Sequence, residues 1–336
     1  MFSNKNILIT GGTGSLGTYL TKYLLKNYNV NKIVIFSRDE QKQDKMQKTL
    51  NRDDVLRFFV GDIRDKDRLK QAFVGIDYVI HAAAMKIITS CDYNPFEAVQ
   101  TNIIGAKNII EACVEDNIKK CVFVSTDKSV SPCTLYGGTK LVAEKLFIHG
   151  NYYSGVFKEP IFSCVRYGNV AGSNGSIIPV FVNFIKNKIK NLPITDWRMT
   201  RFIMTLQKAV ELIIFAFENS KAGEIYVAKN KTHTLKQLVD CLVKIYGVDV
   251  TYKNIGIRAN EKLHEVMISD VESNNTYEYN NHYIVYPNFY PEKLKLDNGI
   301  KVNEGFVYSS NNLEDRLSND ELKKIIISVL NEQGLL

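Results

Sequence analysis

The sequence predicts an α/β protein: a Rossmann-type doubly wound parallel sheet, followed by a smaller C-terminal α/β lobe to hold a substrate. Three observations carry that prediction. Five short apolar runs alternate with longer helical patterns through the first half of the 336-residue chain. A glycine turn, G-x-x-G-x-x-G, joins the first run to the first helix. After Val170 the alternation gives way to longer helices with isolated strands between them. The expected division is therefore a dinucleotide-binding domain over residues 1–170 and a substrate lobe with C-terminal extension over 171–336. Later segments remain free to complete core strands and helices of the first domain.

In order, the strand candidates are NILIT (6–10), KIVIF (32–36), VLRFFVG (55–61), DYVIHAA (77–83) and KCVFVST (120–126). Their continuous Val, Ile and Phe content suits strands buried on both faces of a parallel sheet. Between them lie SLGTYLTKYLLKNY, KDRLKQAF and NPFEAVQTNIIGAKNIIEACVED, the last with Pro95 in its first turn. Alternating β and α elements with right-handed crossovers wind such a sheet on both faces. A sixth strand, IFSCVRYGNV (161–170), follows a helix that carries Tyr136. Beyond it, AGSNGSIIPVFVNFIKNKIKN reads as a loop feeding a helix. LQKAVELIIFAFEN and TLKQLVDCLVKIYG read as helices of the smaller lobe, separated by the strand GEIYVAK. The Asn- and Tyr-rich ESNNTYEYNNHYIVYPNFYPE is expected to be extended and partly ordered, with strand character at YIVYP. A last helix, NDELKKIIISVLNEQ, begins with a cap at Ser318 or Asn319.

Hydrophobic residues make up 45% and charged residues 24%, the balance of a soluble globular enzyme and not of a disordered chain. The formal net charge is +7, but Lys and Arg are interleaved with Asp and Glu. That argues against a nucleic-acid stripe and leaves some excess to face a phosphorylated ligand. Six cysteines occur, Cys91, Cys113, Cys121, Cys133, Cys164 and Cys241, with no C-x-x-C pair and no zinc spacing to His. No metal is expected, and buried reduced thiols suit a cytoplasmic compartment. The first strand begins almost at once, so no signal peptide is expected. No apolar run approaches the ~18 residues of a membrane span.

Gly11, Gly14 and Gly17 stand where a Rossmann turn takes unusual torsions, meets a pyrophosphate and packs helix on strand. The cradle is expected to bind through Gly11, Thr13, Gly14, Ser15, Leu16 and Gly17, with the helix N-terminus facing the anion. At the end of the second strand an NAD site would place a carboxylate on the ribose hydroxyl. Here Ser37 and Arg38 come first, Asp39 is displaced and Lys42 follows. A guanidinium and a hydroxyl suit a 2′-phosphate, so NADP is expected. Asp62 is placed to accept from the adenine amino group, and Ile63 to pack on the ring.

Tyr136 and Lys140, in YGGTK, lie at i and i+4 and project from one helix face. A cationic Lys140 lowers the tyrosine pKa, so Tyr136 is expected to take the proton of an alcohol as hydride leaves for a nicotinamide. Thr126, Asp127 and Lys128, in VSTDKSV at the end of the fifth strand, supply a hydroxyl, an acid and an amine beside that pair.

TGGTGSLG, STDK and YGGTK resemble the extended short-chain dehydrogenase/reductase superfamily. SRDEQKQ, HAAAMK, DYNPFEAVQTNIIGAKNII, STDKSVSP, VRYGNVAGSNGSIIPVF, MTRF and EKLHEVMIS narrow the resemblance to the inverting UDP-N-acetylglucosamine 4,6-dehydratases. It runs from Asn6 to about Pro287. The resemblance implies a UDP-sugar substrate, bound NADP, a homo-oligomer with a hexamer as one form, and an early step of bacterial amino-sugar pathways such as that to pseudaminic acid. It implies Tyr136 as the base for the O4 proton, Lys128 as a free amine for the C5 proton, and protonated Asp127 as the acid for the departing C6 hydroxyl. Desolvation would push both members of the Asp127–Lys128 pair toward those neutral states. Retaining relatives carry Glu where Lys128 stands, so lysine points to inversion at C5.

The resemblance also places Ala82 and Lys86 beside the cofactor and active site, Asn102 behind the catalytic loop, and Asn169 and Val170 near cofactor and sugar nucleotide. Helix N–H groups near Ser176 and Ile177, with Arg201 and Arg258, are candidates for the diphosphate, and Glu261 for a ribose. The family pattern R-P-G-E-K-L-H-E reads RANEKLHE here; Asn260 tolerates left-handed torsions, so the turn can persist. His81 is expected to be a satisfied core histidine and His264 to order its loop. Two other readings stay open: a UDP-sugar 4-epimerase or reductase, and a non-catalytic NADP-sensing protein.

Overall fold

The computed structural model describes residues 1–173, 176–289 and 291–336. The expected loop AGSNGS and the segment NFYPE therefore fall partly outside the described residues, at 174–175 and 290.

The strands are β1 (Asn6–Thr10), β2 (Lys32–Ser37), β3 (Leu56–Val60), β4 (Tyr78–His81), β5 (Lys120–Val124), β6 (Ile161–Arg166), β7 (Asn169–Val170), β8 (Asn191–Ile194), β9 (Thr200–Met204), β10 (Ile225–Ala228), β11 (Lys231–Thr234), β12 (Thr251–Asn254), β13 (Val266–Ile268), β14 (Thr276–Glu278), β15 (His282–Val285), β16 (Ile300–Lys301) and β17 (Tyr308–Ser309). The main sheet runs β16-β14-β15-β10-β6-β5-β4-β1-β2-β3. From β3 through β10 every pairing is parallel, in registers such as Ile7 with Ile33 and Val79 with Cys121. β15, β14 and β16 then pair antiparallel at the far edge. Strands such as β1, β2 and β4 are buried along nearly their whole length because helices cover both faces. Helices Ser15–Asn27 and Leu206–Asn219 pack together on one face, and Lys66–Phe73, Gly105–Glu115 and Leu135–Ser154 on the other. Strand order reverses between β1 and β4, and ligand crevices of doubly wound sheets open there.

Two expectations are corrected. IFSCVRYGNV is not one strand: β6 lies in the main sheet, whereas β7 pairs with β9 in a separate one. The change of direction comes at Gly168, where a Cβ would sit 2.5 Å from that of Phe202. GEIYVAK and the helix before it do not belong to the smaller lobe. β10 is buried at all four positions and closes the edge of β6, while helix Leu206–Asn219 packs on β5 and β6. A buried apolar run reads alike in either lobe, so local pattern does not tell which sheet receives it. YIVYP does contain strand β15.

A second hydrophobic core joins helices Ile177–Lys186, Leu235–Tyr246 and Asn319–Glu332 to β8 and β9. Ser318 caps the last helix in a capping box with Glu321. The stretch from Pro95 to Glu115 stays helical through a wider turn at Gln100–Ile104. No helix among the described residues is long and apolar enough to cross a membrane. Five cysteines are buried and Cys133 is exposed.

Candidate active site

A cavity of about 910 Å³ lies over the strand-order reversal. The glycine turn forms one wall. Gly11 takes φ +67°, and a Cβ there would lie 2.9 Å from the Ala83 nitrogen; one on Gly17 would meet the Gly12 backbone at 2.5 Å. The following helix has no side-chain cap and no acid in its first turn, so its N–H groups face the cavity without a competing carboxylate. Gly11, Thr13, Gly14, Ser15, Leu16 and Gly17 all line the space. These features fit a dinucleotide pyrophosphate.

The ends of β2 and β3 form the next wall, with Ser37, Arg38, Asp39, Lys42, Asp62 and Ile63. Arg38 is well exposed, 3.7 Å from the Asp62 carboxylate. Asp62 is also held by the Arg64 guanidinium at 2.7 Å. Asp39 caps the helix Glu40–Leu50 through the Lys42 N–H, and the Lys42 ammonium pairs with it at 2.8 Å. Arg38 is thus the cation of this group with the loosest contact, which suits an incoming phosphate. Ala82, Lys86, Asn169 and Val170 complete the lining. Burial pushes the Lys86 amine below its ordinary range.

The Thr126–Lys128 segment begins where β5 ends. The Ser125 and Asp127 N–H groups donate to the Val165 and Tyr167 carbonyls, so β6 and its continuation fix the loop. Thr126 caps a single 3₁₀ turn, Asp127–Ser129. Thr134 then caps the helix Leu135–Ser154 by accepting from the Gly137 N–H at 3.0 Å. Tyr136 and Lys140 are both buried on that helix. Gly137 is required, because a Cβ there would strike the Lys128 carbonyl oxygen; one on Gly138 would meet open space. Asn102, from the wide turn, accepts from the Met85 N–H (2.8 Å) and donates to the Met85 carbonyl and Thr139 Oγ1 (3.0 Å each).

The charge states differ from those expected. Burial favours neutral Lys128, but Asp127 and Glu265 outweigh it and hold its pKa above the ordinary lysine range. Lys128 Nζ lies 3.0 Å from Asp127 Oδ1 and 3.6 Å from Glu265 Oε1. Lys128 is thus an ammonium in this state, in contact with Asp127, and not the free amine expected. Lys140 is not the leading cation at Tyr136. Its Nζ donates to the Val124 carbonyl at 2.7 Å, lies 3.9 Å from the Phe123 ring centre, and is pushed by burial down to about 7. Burial raises Tyr136 to about 12, and the cation that pulls against it is Lys128. Close opposite charges override desolvation, and a lysine four residues away in sequence does not guarantee proximity of its Nζ to the phenol.

A second cavity, about 510 Å³, shares Lys128, Asn169, Val170, Ser176, Ile177 and Arg258 with the first. Arg201, Glu261 and Glu265 line only this one. Ser176 Oγ is buried without a partner among the described residues, at the start of helix Ile177–Lys186. Arg201 donates to the Thr200 and Leu263 carbonyls and faces Glu261 at 3.6 Å. Asn260 takes φ +64°, so the glycine-like turn persists without glycine. His81 Nδ1 meets Thr10 Oγ1 at 2.7 Å with the ring stacked on Phe123 and Phe147, as a core histidine should. His264 Nδ1 meets Thr200 Oγ1 at 2.8 Å.

Sequence reasoning missed a buried strut beneath the loop. Glu144 accepts from Ser125 Oγ (2.7 Å) and Arg166 Nη2 (2.5 Å), and Arg166 also reaches Glu272 at 2.9 Å. The spacing Tyr136, Lys140, Glu144 was the available signal, since each next residue lies one helical turn on. Glu265 was missed because only the tertiary fold brings it to Lys128.

A glycine cradle at the strand-order reversal, with Tyr136, Lys140 and Thr126 at the end of β5, defines a Rossmann protein of the extended short-chain dehydrogenase/reductase class. The model of the polysaccharide biosynthesis protein family matches residues 7–287, and the chain belongs to that family. It is 47% identical to the UDP-N-acetylglucosamine 4,6-dehydratase (inverting) of Campylobacter jejuni subsp. jejuni, over 97% of this chain and 98% of that one. A UDP-glucose 4-epimerase of Rickettsia bellii is 37% identical over 98% of this chain and 97% of its own. Among solved structures, Pen from Bacillus thuringiensis superposes with a TM-score of 0.90 at 36% identity, covering 100% of both chains.

Proposed function

We propose that this protein removes water from UDP-N-acetylglucosamine, giving a UDP-4-keto-6-deoxy-HexNAc with inversion at C5, using bound NADP. The observation that carries the reading is the Asp127–Lys128 pair, 3.0 Å apart in the cavity wall that also holds Tyr136. The 47% identical dehydratase supports it.

A nicotinamide cofactor held by the glycine turn and Arg38 would supply a hydride acceptor for C4 and a hydride donor for C6. Tyr136, having given up its own phenol proton, takes the O4 proton as C4 becomes a ketone. That ketone acidifies C5, and Lys128 takes the C5 proton once it has shed its own. Asp127 receives the proton that Lys128 sheds across their 3.0 Å contact and gives it to the C6 hydroxyl, which leaves as water. Reprotonation of C5 on the opposite face inverts it. Thr126 Oγ1, donating to Asp127 Oδ1 at 2.9 Å, orients the acid. Arg38 would hold a 2′-phosphate. The cavity beside Arg201 and Arg258 would hold the nucleotide, with the diphosphate at Ser176 and Ile177. A cytoplasmic homo-oligomer, acting early in an amino-sugar glycan pathway of the pseudaminic or fucosamine kind, is the setting this reaction fits.

The 37% identical epimerase favours a second reading, C4 epimerisation, in which Lys128 would be incidental. Incubation with UDP-N-acetylglucosamine in deuterated water separates the two. Loss of water with deuterium at C5 is expected, with no lasting NADPH absorbance. A C4 epimer free of deuterium at C5 would sink the dehydratase reading. Lys128→Ala should stop C5 exchange, whereas Tyr136→Phe should stop the first oxidation.

A further inference from the structure

Five side chains of alternating charge run from the reaction loop into the second cavity. Asp127 faces Lys128 at 3.0 Å, Lys128 faces Glu265 at 3.6 Å, Glu265 faces Arg201 at 3.7 Å, and Arg201 faces Glu261 at 3.6 Å. Glu265 is the middle member. It is only 4% exposed, and its Oε2 has no hydrogen-bond partner among the described residues. Its backbone is fixed from a distant part of the chain: the N–H donates to Ser310 Oγ at 2.9 Å and the carbonyl accepts from the Ser310 N–H at 2.8 Å. A buried carboxylate with one oxygen unmatched is costly to keep, so its place beside a lysine asks for a reason.

We infer that Glu265 is a positioning residue that acts through Lys128, holding its side chain at the cavity wall and delaying release of its proton. The inference rests on the proposed role of Lys128 as the C5 base. The other groups around Lys128 do not duplicate this hold. Asp127 lies on the same turn and is assigned to the leaving hydroxyl. Asn169, from β7, accepts from Nζ at 3.4 Å but carries no charge. Arg201, from β9, is a like charge that opposes the ammonium. Tyr136, on the neighbouring helix, is pushed up to about 12 and is neutral at physiological pH. The ammonium of Lys262 is engaged by the Val130 carbonyl at 2.7 Å, and that of Lys140 by Val124. Among the described residues, Glu265 is therefore the anion from outside the loop that keeps Lys128 charged until a reaction demands otherwise.

The test compares the full chain with Glu265→Gln and Glu265→Asp. Trace labelling with isotopic acetic anhydride, read by peptide mass spectrometry, reports the free-amine fraction of Lys128 against pH without any turnover. Removing an opposite charge at this distance should move the Lys128 labelling curve of E265Q about one pH unit lower. On its rising limb that is roughly tenfold more label at a fixed pH. Glu265→Asp withdraws the carboxylate by one methylene; a smaller move in the same direction is expected, and this variant decides the matter if E265Q does not fold. The acid limb of C5 deuterium exchange should move with the labelling curve. An unchanged labelling curve in the folded variants overturns the inference. Absence of C5 exchange in the unaltered enzyme would instead sink the proposed reaction, and the labelling curves would still decide whether Glu265 holds Lys128.

Discussion

Gly137→Ala and Gly138→Ala form a matched pair whose difference isolates one contact. Both residues lie in the first turns of the helix Leu135–Ser154, so both substitutions gain the same helix propensity, up to about 1 kcal/mol. At Gly138 the new methyl meets open space, and that gain stands alone. At Gly137 it would overlap the Lys128 carbonyl oxygen and lie 3.0 Å from Pro132 Cβ. Neither neighbour is the tip of a flexible side chain, so the loop backbone must move by roughly the overlap. Overpacking of this kind costs about 1–3 kcal/mol, and that range is the expected stability gap between the variants. The larger effect should fall on chemistry. Lys128 Nζ sits 3.0 Å from Asp127 and 3.4 Å from Asn169. A backbone shift near 1 Å breaks both, and an ångström of misplacement can cost on the order of a hundredfold in rate. Thermal melting gives the first quantity and C5 deuterium exchange the second. Equal melting temperatures together with equal exchange rates would refute the argument that this glycine exists to seat the loop.

Three further outcomes are expected. Glu144→Gln removes the fully buried partner of Arg166, and unfolding free energy should fall by about 3 kcal/mol; a loss below about 1 kcal/mol would mean that Glu272 alone satisfies the guanidinium. His81 is pushed down to about 3, by burial first and Lys140 second. The unfolded chain therefore takes up a proton near pH 6.5 that the folded chain refuses, and stability should fall as pH drops from about 6.5 toward 3. His81→Phe should flatten that slope by about 1.4 kcal/mol per pH unit in urea titrations, and an unaltered slope would contradict it. Arg38→Ala should weaken NADP binding about tenfold in fluorescence titrations and leave NAD binding unchanged; equal loss for both would exclude a 2′-phosphate contact.

Strands β1, β2, β4 and β5 were legible because each carries a run of buried apolar residues bounded by turn residues, and burial on both faces leaves no other use for such a run. The cofactor cradle was legible because its glycines answer to backbone geometry that only glycine meets, as at Gly11. Asn260 could be read as a stand-in for glycine because its side chain tolerates the left-handed region. What local pattern did not give is who sits beside whom. The partner of Ile225–Ala228 is β6, from far earlier in the chain, and nothing in IYVA names it. The protonation of Lys128 failed for the same reason. Desolvation was foreseeable from a buried strand end and Asp127 adjoins the lysine in sequence, but Glu265, the second anion that raises it, arrives only through the tertiary fold. Tyr136 and Lys140 did land on one helix face, yet the Lys140 amine turned to the Val124 carbonyl, a choice that spacing leaves open.

The late arrival of β10 sets an order of assembly. During synthesis, the glycine cradle, Tyr136 and the first six parallel strands leave the ribosome with β6 as a bare edge, its N–H and C=O groups ready to pair with any extended chain nearby. The strand that seals it lies about sixty residues further on, and β15, which covers that strand in turn, comes about another sixty after it. At roughly 5–20 residues per second the nascent sheet stays open for several seconds or more. Shielding that seam from other nascent chains is a demand that this topology places on its cell.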